Sequence, residues 1–155
     1  MARKYWLMKS EPDAYSFDDL MAEPEQTACW DGIRNYQARN FMMEMKVGDL
    51  VLFYHSNAKP PHVAGTARVA REYYPDHTQY DKKSKYYDPK APTDAPRWQM
   101  VDLQATEKLP RPVTLSELKE NPKLAEMRVT QKGQRLSVQP VTRKEFDEVL
   151  RMAKK

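Results

Sequence analysis

The chain has 155 residues, 40% of them hydrophobic and 31% charged, with a net charge of +4. That is one domain's length with enough apolar side chains for a real core. No apolar run approaches the roughly 20 residues that span a bilayer, so a membrane partner is not expected. Lys9, Glu11 and Asp13 follow the amino terminus too soon for a signal peptide, which points to the cytosol. A single cysteine excludes an internal disulfide and any cysteine-based zinc cluster.

Charge is uneven along the chain. Residues 1–60 carry seven Lys/Arg against nine Asp/Glu, whereas residues 61–155 carry nineteen against thirteen. Mild basicity of this kind permits nucleic-acid contact without requiring it.

Lys4–Met8 reads as a strand rich in aromatics. Ser16 with Asp19 forms a capping box for a short helix over Phe17–Ala22. Next comes the densest chemistry in the chain, Cys29-Trp30-Asp31-Gly32-Ile33-Arg34-Asn35-Tyr36-Gln37-Ala38-Arg39. It gathers an indole, a phenol, two guanidiniums, two amides and a carboxylate around a glycine turn. Such a mixture suits a flat, polar, hydrogen-bonding ligand such as a nucleic-acid base. Trp30 can offer a stacking face, worth about 1–3 kcal/mol per base, or it can plug the core. Asn35 can read a base edge or cap the helix that follows. Arg34 and Arg39 suit phosphate contact or pairing with Asp31.

That helix begins near Asn35, with Ala38, Phe41, Met42 and Met45 on one face. Gly48-Asp49 turns into a strand over Leu50–His55, whose end carries Tyr54-His55-Ser56-Asn57. A second strand over Val63–Tyr73 follows, and Gly65 inside it marks a bulge or a close approach. Pro75 to Pro96 is the longest irregular stretch, with four prolines, three tyrosines and four lysines. Arg97–Lys108 returns to strand, and the parity of Trp98 and Met100 calls for a bulge or two-sided burial. Thr114 with Glu117 caps a helix over Leu115–Glu120, and Thr142 with Glu145 caps a final one. Between them Gly133–Val141 is polar and extended. Ser137 and Gln139 share one side of it, facing either a ligand or water.

Catalytic signatures are poor. There is no Walker loop, nucleophile elbow or HExxH sequence, and His55, His62 and His77 lack metal-site spacing. Cys29 with His55 or His62 remains as a conceivable thiol–imidazole pair.

Several segments together resemble one family. They are Tyr5-Trp6-Leu7-Met8-Lys9-Ser10-Glu11-Pro12, the stretch Trp30 to Asn40, Gly48 to Ser56, Tyr87-Asp88-Pro89-Lys90, Pro96-Arg97-Trp98 and Arg135 to Val141. In this combination and order the chain resembles the EVE domain family. The resemblance implies an α+β, PUA-like fold, a mixed β pseudo-barrel of about five strands with short helices around it, related to YTH domains. It further implies a non-catalytic reader of DNA or RNA that takes a modified base, such as a modified cytosine, into an aromatic-lined pocket. Carried onto this sequence, that pocket draws on Ser10, Trp30, Asn35, Tyr36, Tyr54, Ser56, Ser137 and Gln139. Phosphate contacts are expected from Lys9, Arg34, Arg39, Lys82, Lys83 and Lys85. No cofactor and no metal are expected. An enzyme acting on a modified nucleobase and a small-molecule module are the competing readings.

Overall fold

The structure, a computed structural model, describes residues 3–133 and 135–154. Residues 1, 2, 134 and 155 lie outside it, so one position of the extended stretch read at 133–141 does too.

Six strands form one sheet: β1 (Tyr5–Ser10), β2 (Thr27–Cys29), β3 (Leu50–His55), β4 (His62–Pro75), β5 (Gln99–Thr114) and β6 (Val138–Val141). Their order across the sheet is β2-β5-β4-β3-β1-β6. β1 runs parallel to β3, and every other neighbouring pair is antiparallel. The expected mixed sheet is therefore present, with one strand more than the five that the resemblance implies. The short strand β2 has three residues, too few for a period-two pattern to register.

Successive residues of β1 and β3 alternate between two cores, as the strand period demands. Trp6, Met8, Val51 and Phe53 join one, and Leu7, Leu52 and Tyr54 join the other. The first core is covered by α1 (Phe17–Met21) and α2 (Tyr36–Glu44). The second is covered by α3 (Leu115–Glu120) and α4 (Arg143–Ala153). All three capping boxes expected at Ser16, Thr114 and Thr142 are formed.

β4 and β5 are long, at 14 and 16 residues, and four register shifts interrupt their pairing. These shifts supply the bulges that the parity of Met100 required. They also explain why β5 continues past Lys108: Pro110 and Pro112 fall in the gap between the Gly65–Lys108 and Val63–Val113 pairs, where no ladder bond is interrupted. Gly65 answers both readings of it. The register shifts beside it, and a Cβ there would lie 2.4 Å from Cζ of Phe17. The ring of the first residue of α1 thus rests directly on the strand.

Candidate nucleic-acid interface

Trp30 sits where β2 ends, its amide donating to the Val101 carbonyl at 2.7 Å. Phe53 meets its ring edge-on at 5.3 Å and Tyr15 at 6.3 Å, and the residue is only 7% exposed. The expected open indole is therefore not present in this conformation. Trp30 is part of the core wall, because the aromatic rings of β3 and of the β1–α1 turn close on it.

The next residues are fastened to the long loop after β4. Gly32 adopts φ +83, and a Cβ there would lie 2.6 Å from the Tyr86 ring, so only glycine fits beneath that tyrosine. Its amide donates to Asp76 Oδ2 at 2.8 Å. Arg34 uses all five of its guanidinium N–H groups within the protein: Nε and Nη2 on the Tyr86 carbonyl, Nη1 on the Ile33 carbonyl and Asp76, and Nη2 on Thr78. The phosphate contact expected of Arg34 would cost one of these bonds, and the structure gives it a bracing role instead. The Asp76 side chain is fully buried at the centre of this bracing. Burial alone would raise its pKa, but the Thr78, Gly32 and Arg34 donors outweigh that and hold it below the usual carboxylate value.

Two further hubs turn the proline-rich stretch into ordered structure. The Gln79 amide bonds the carbonyls of Asp76 and Trp98 and the amide of Trp98. Asp88 accepts from the Trp98 indole at 2.8 Å and from Arg97 at 3.2 Å. None of Asp76, Gln79 and Asp88 stood out as a site residue in the sequence. Their shared signal was that three chain-bonding polar residues lie inside a stretch too long to be left unsupported, and Asp88 also falls in a segment that carries the family resemblance.

On this base sits an exposed aromatic stack. Asn35 caps α2, its Oδ1 accepting from the Ala38 amide at 2.9 Å. Tyr36, the first helical residue, is 53% exposed and stacks on Trp98 at 4.9 Å and 24°. The Arg39 guanidinium lies 4.9 Å from the Tyr36 ring, bonded to the Arg97 carbonyl and to Asn40. Lys82, Lys83 and Lys85 are exposed on the same loop, with Lys85 5.0 Å from the Tyr86 ring.

The strand-end residues divide between the two sheet faces. Ser10, Ser56 and Ser137 do meet at one end of the sheet: the Ser56 amide donates to the Ser10 carbonyl, and the Lys9 amide to the Ser137 carbonyl. Ser10 lies on the Trp30 side, its hydroxyl donating to the Tyr15 carbonyl at 2.6 Å. Tyr54 lies on the other side, 3% exposed, with the Lys9 ammonium 5.9 Å from its ring. Burial pushes the Tyr54 phenol up to about 12 and Lys9 down. Gln139 is 1% exposed, on the second-core side, its amide donating to the Leu136 carbonyl at 2.7 Å. The structure thus does not bring Tyr54, Gln139 or Lys9 to the face that holds Trp30.

Catalytic candidates find no activation. Cys29 is exposed, but its thiol is pushed up by partial burial and by Asp31 and Asp102, which disfavours the thiolate. Among the described residues no group of three His, Cys, Asp or Glu could hold a metal, and no helix is long and apolar enough to cross a membrane.

The EVE domain model matches residues 4–152. The chain belongs to the EVE domain family. Thymocyte nuclear protein 1 from human is 46% identical to this EVE domain over 97% of the chain and 74% of the relative. The zebrafish (Danio rerio) protein is 48% identical over 94% and 70% respectively. Among solved structures, human THYN1 in complex with 5-methylcytosine-containing DNA superposes with a TM-score of 0.93 at 46% identity, covering 98% of both chains. A hypothetical protein from Leishmania major gives 0.93 at 48% identity, covering 99% of this chain and 96% of that one. An ASCH protein from Zymomonas mobilis, at 13% identity and a TM-score of 0.54, shares the fold alone.

Proposed function

We propose that this EVE domain is a non-catalytic binding domain for nucleic acid carrying a modified base, with a modified cytosine in DNA as the ligand. The observation that carries this reading is its 46% identity, over nearly the whole chain, to a human protein whose structure contains 5-methylcytosine DNA. The exposed Tyr36–Trp98 stack, flanked by Arg39 and a lysine-rich loop, supports it with the chemistry that holds bases and phosphates.

In this reading Tyr36 is the stacking platform, Trp98 stiffens it from behind, and Trp30 forms the wall of the adjoining core. Asn35, whose amide nitrogen is not used by the helix cap, and Ser10, Ser56 and Ser137 are the candidates for reading the base edge. Extracting a base from a duplex costs a few kcal/mol. One stacking contact offsets about 1–3 kcal/mol of that, so phosphate contacts must supply the rest. In this reading Arg39, Lys82, Lys83 and Lys85 make them.

The deciding experiment measures binding of matched duplexes with cytosine or 5-methylcytosine. The methylated duplex is expected to bind more tightly. Tyr36→Ala is expected to weaken binding about 5- to 150-fold while Tyr36→Phe retains it, since the ring and not the hydroxyl does the stacking. Equal affinity for both duplexes would overturn the reading.

A further inference from the structure

A cleft of about 730 Å3 opens between the start of β1, the end of α2 and the β6–α4 junction. Its size is within the range of small-ligand sites. Tyr5 and Phe41 line it as partly buried aromatic rings, and Arg3, Lys4 and Arg143 stand exposed at its rim. Outside the lining, Arg128 lies 5.5 Å from the Phe41 ring. Among the described residues, the ion pairs that counter this charge are loose and solvent-exposed: Lys4–Glu44 at 3.8 Å and Arg143–Asp147 at 3.7 Å. Such pairs are worth little and leave the guanidiniums available to a better acceptor. The floor is fixed in place, because the Trp6 indole donates to Asp49 and its ring packs on Phe41 at 5.9 Å.

An aromatic floor under a cationic rim is complementary to a flat ring that carries a compact negative charge. We propose that this cleft binds a nucleoside monophosphate, its phosphate held by Arg143 and Arg3 and its base set against Phe41. Arginine forks match phosphate geometry bidentately. The site is separate from the one proposed above. Phe41 lies five residues beyond Tyr36 on α2, about 7.5 Å along the axis and about 140° around it, so the two rings stand on different faces of the helix.

The test is a titration of the intact protein with cytidine 5′-monophosphate, cytidine and inorganic phosphate, followed by amide chemical shifts. Cytidine 5′-monophosphate is expected to shift resonances at the start of β1 and the end of α2. Arg143→Glu is expected to weaken its binding at least about tenfold, as removal of a charge-assisted hydrogen bond implies. Phe41→Leu, which removes the ring but leaves an apolar side chain, is expected to weaken it less. Absence of shifts in the cleft, indifference to Arg143→Glu, or inorganic phosphate binding as tightly as the nucleotide would each overturn the proposal. Tyr36→Ala is expected to leave the nucleotide affinity unchanged, and Arg143→Glu to leave methyl-cytosine discrimination unchanged. Failure of one site is thereby distinguishable from failure of the other.

Discussion

Asp76 shows how one buried carboxylate organises a surface. It accepts from the Gly32 amide, the Arg34 guanidinium, and the Thr78 amide and hydroxyl, so both oxygens face only donors. Asp76→Asn places an amide N–H against one of those donors whichever way the group is flipped, and it leaves Arg34 without its counter-ion. Removing one member of a buried pair costs about 3–5 kcal/mol. We therefore expect urea unfolding to show a loss of that order for Asp76→Asn, with methyl-cytosine binding falling in step because the loop beneath Tyr36 loosens. A variant as stable as the parent would show that the loop is held by other means. The segment from Trp30 to Arg39 was legible in the sequence as special, but the roles within it were not. An indole beside a glycine turn looks the same whether its neighbours leave it open or close over it, and only the rings of Phe53 and Tyr15, distant in sequence, decide that. Arg34 has the composition of a phosphate contact, and its partners at 76, 78 and 86 are visible only in three dimensions.

At the scale of elements, reading from the sequence worked best where the cause is local. Capping boxes and the spacing of Ala38, Met42 and Met45 depend on residues within a turn or two, and all appear as expected. β2 and the parallel β1–β3 pairing depend on distant partners and were not legible. α1 is also held from a distance. The Phe17 amide donates to His55 Nε2 at 3.0 Å, so the His55 proton must sit on Nδ1, facing His62 Nε2 at 3.1 Å. His62 then carries its own proton on Nδ1, directed at the Pro60 carbonyl at 2.9 Å. The His55 ring is thus neutral in the fold. Burial and then His62 push the His55 pKa down, with Asp18 of α1 pulling it up more weakly. Asp18 is itself paired with Lys108 of β5. A His with a depressed folded pKa binds fewer protons folded than unfolded, so its contribution is complete above about pH 6.5 and is lost as pH falls below it. The parent is expected to lose stability between pH 7 and 5.5, by at most about 1.4 kcal/mol per pH unit for one histidine. His55→Gln, which keeps an acceptor for Phe17, is expected to lose less. The low carboxyls of Glu117 and Glu148, each held down to about 2 by its arginine neighbour, act only below about pH 4.5 and do not confuse that window. Identical pH profiles for the two proteins would rule the relay out.

For the whole molecule, charge asymmetry and topology agree. The basic half of the chain supplies the loop that carries Lys82, Lys83 and Lys85, and the bracing by Arg34, Asp76 and Asp88 presents that loop beside α2. Replacing the three lysines by alanine is expected to weaken binding to methylated and unmethylated duplexes equally. The dependence of affinity on salt should flatten by up to about 0.9 in log–log slope for each phosphate that is no longer neutralised. Altered preference between the two duplexes would instead mean that the loop reads bases.

All three tryptophans are sealed, at 2%, 7% and 5% exposure for residues 6, 30 and 98. The protein therefore carries its own optical reporters: native emission is blue-shifted and moves red as a body on unfolding. Of the three, the indole of residue 98 lies beneath Tyr36, the ring on which the proposed DNA binding stacks a base. Quenching on addition of DNA should therefore come from residue 98 and vanish when that position is Phe, while the other two continue to report that the fold is intact.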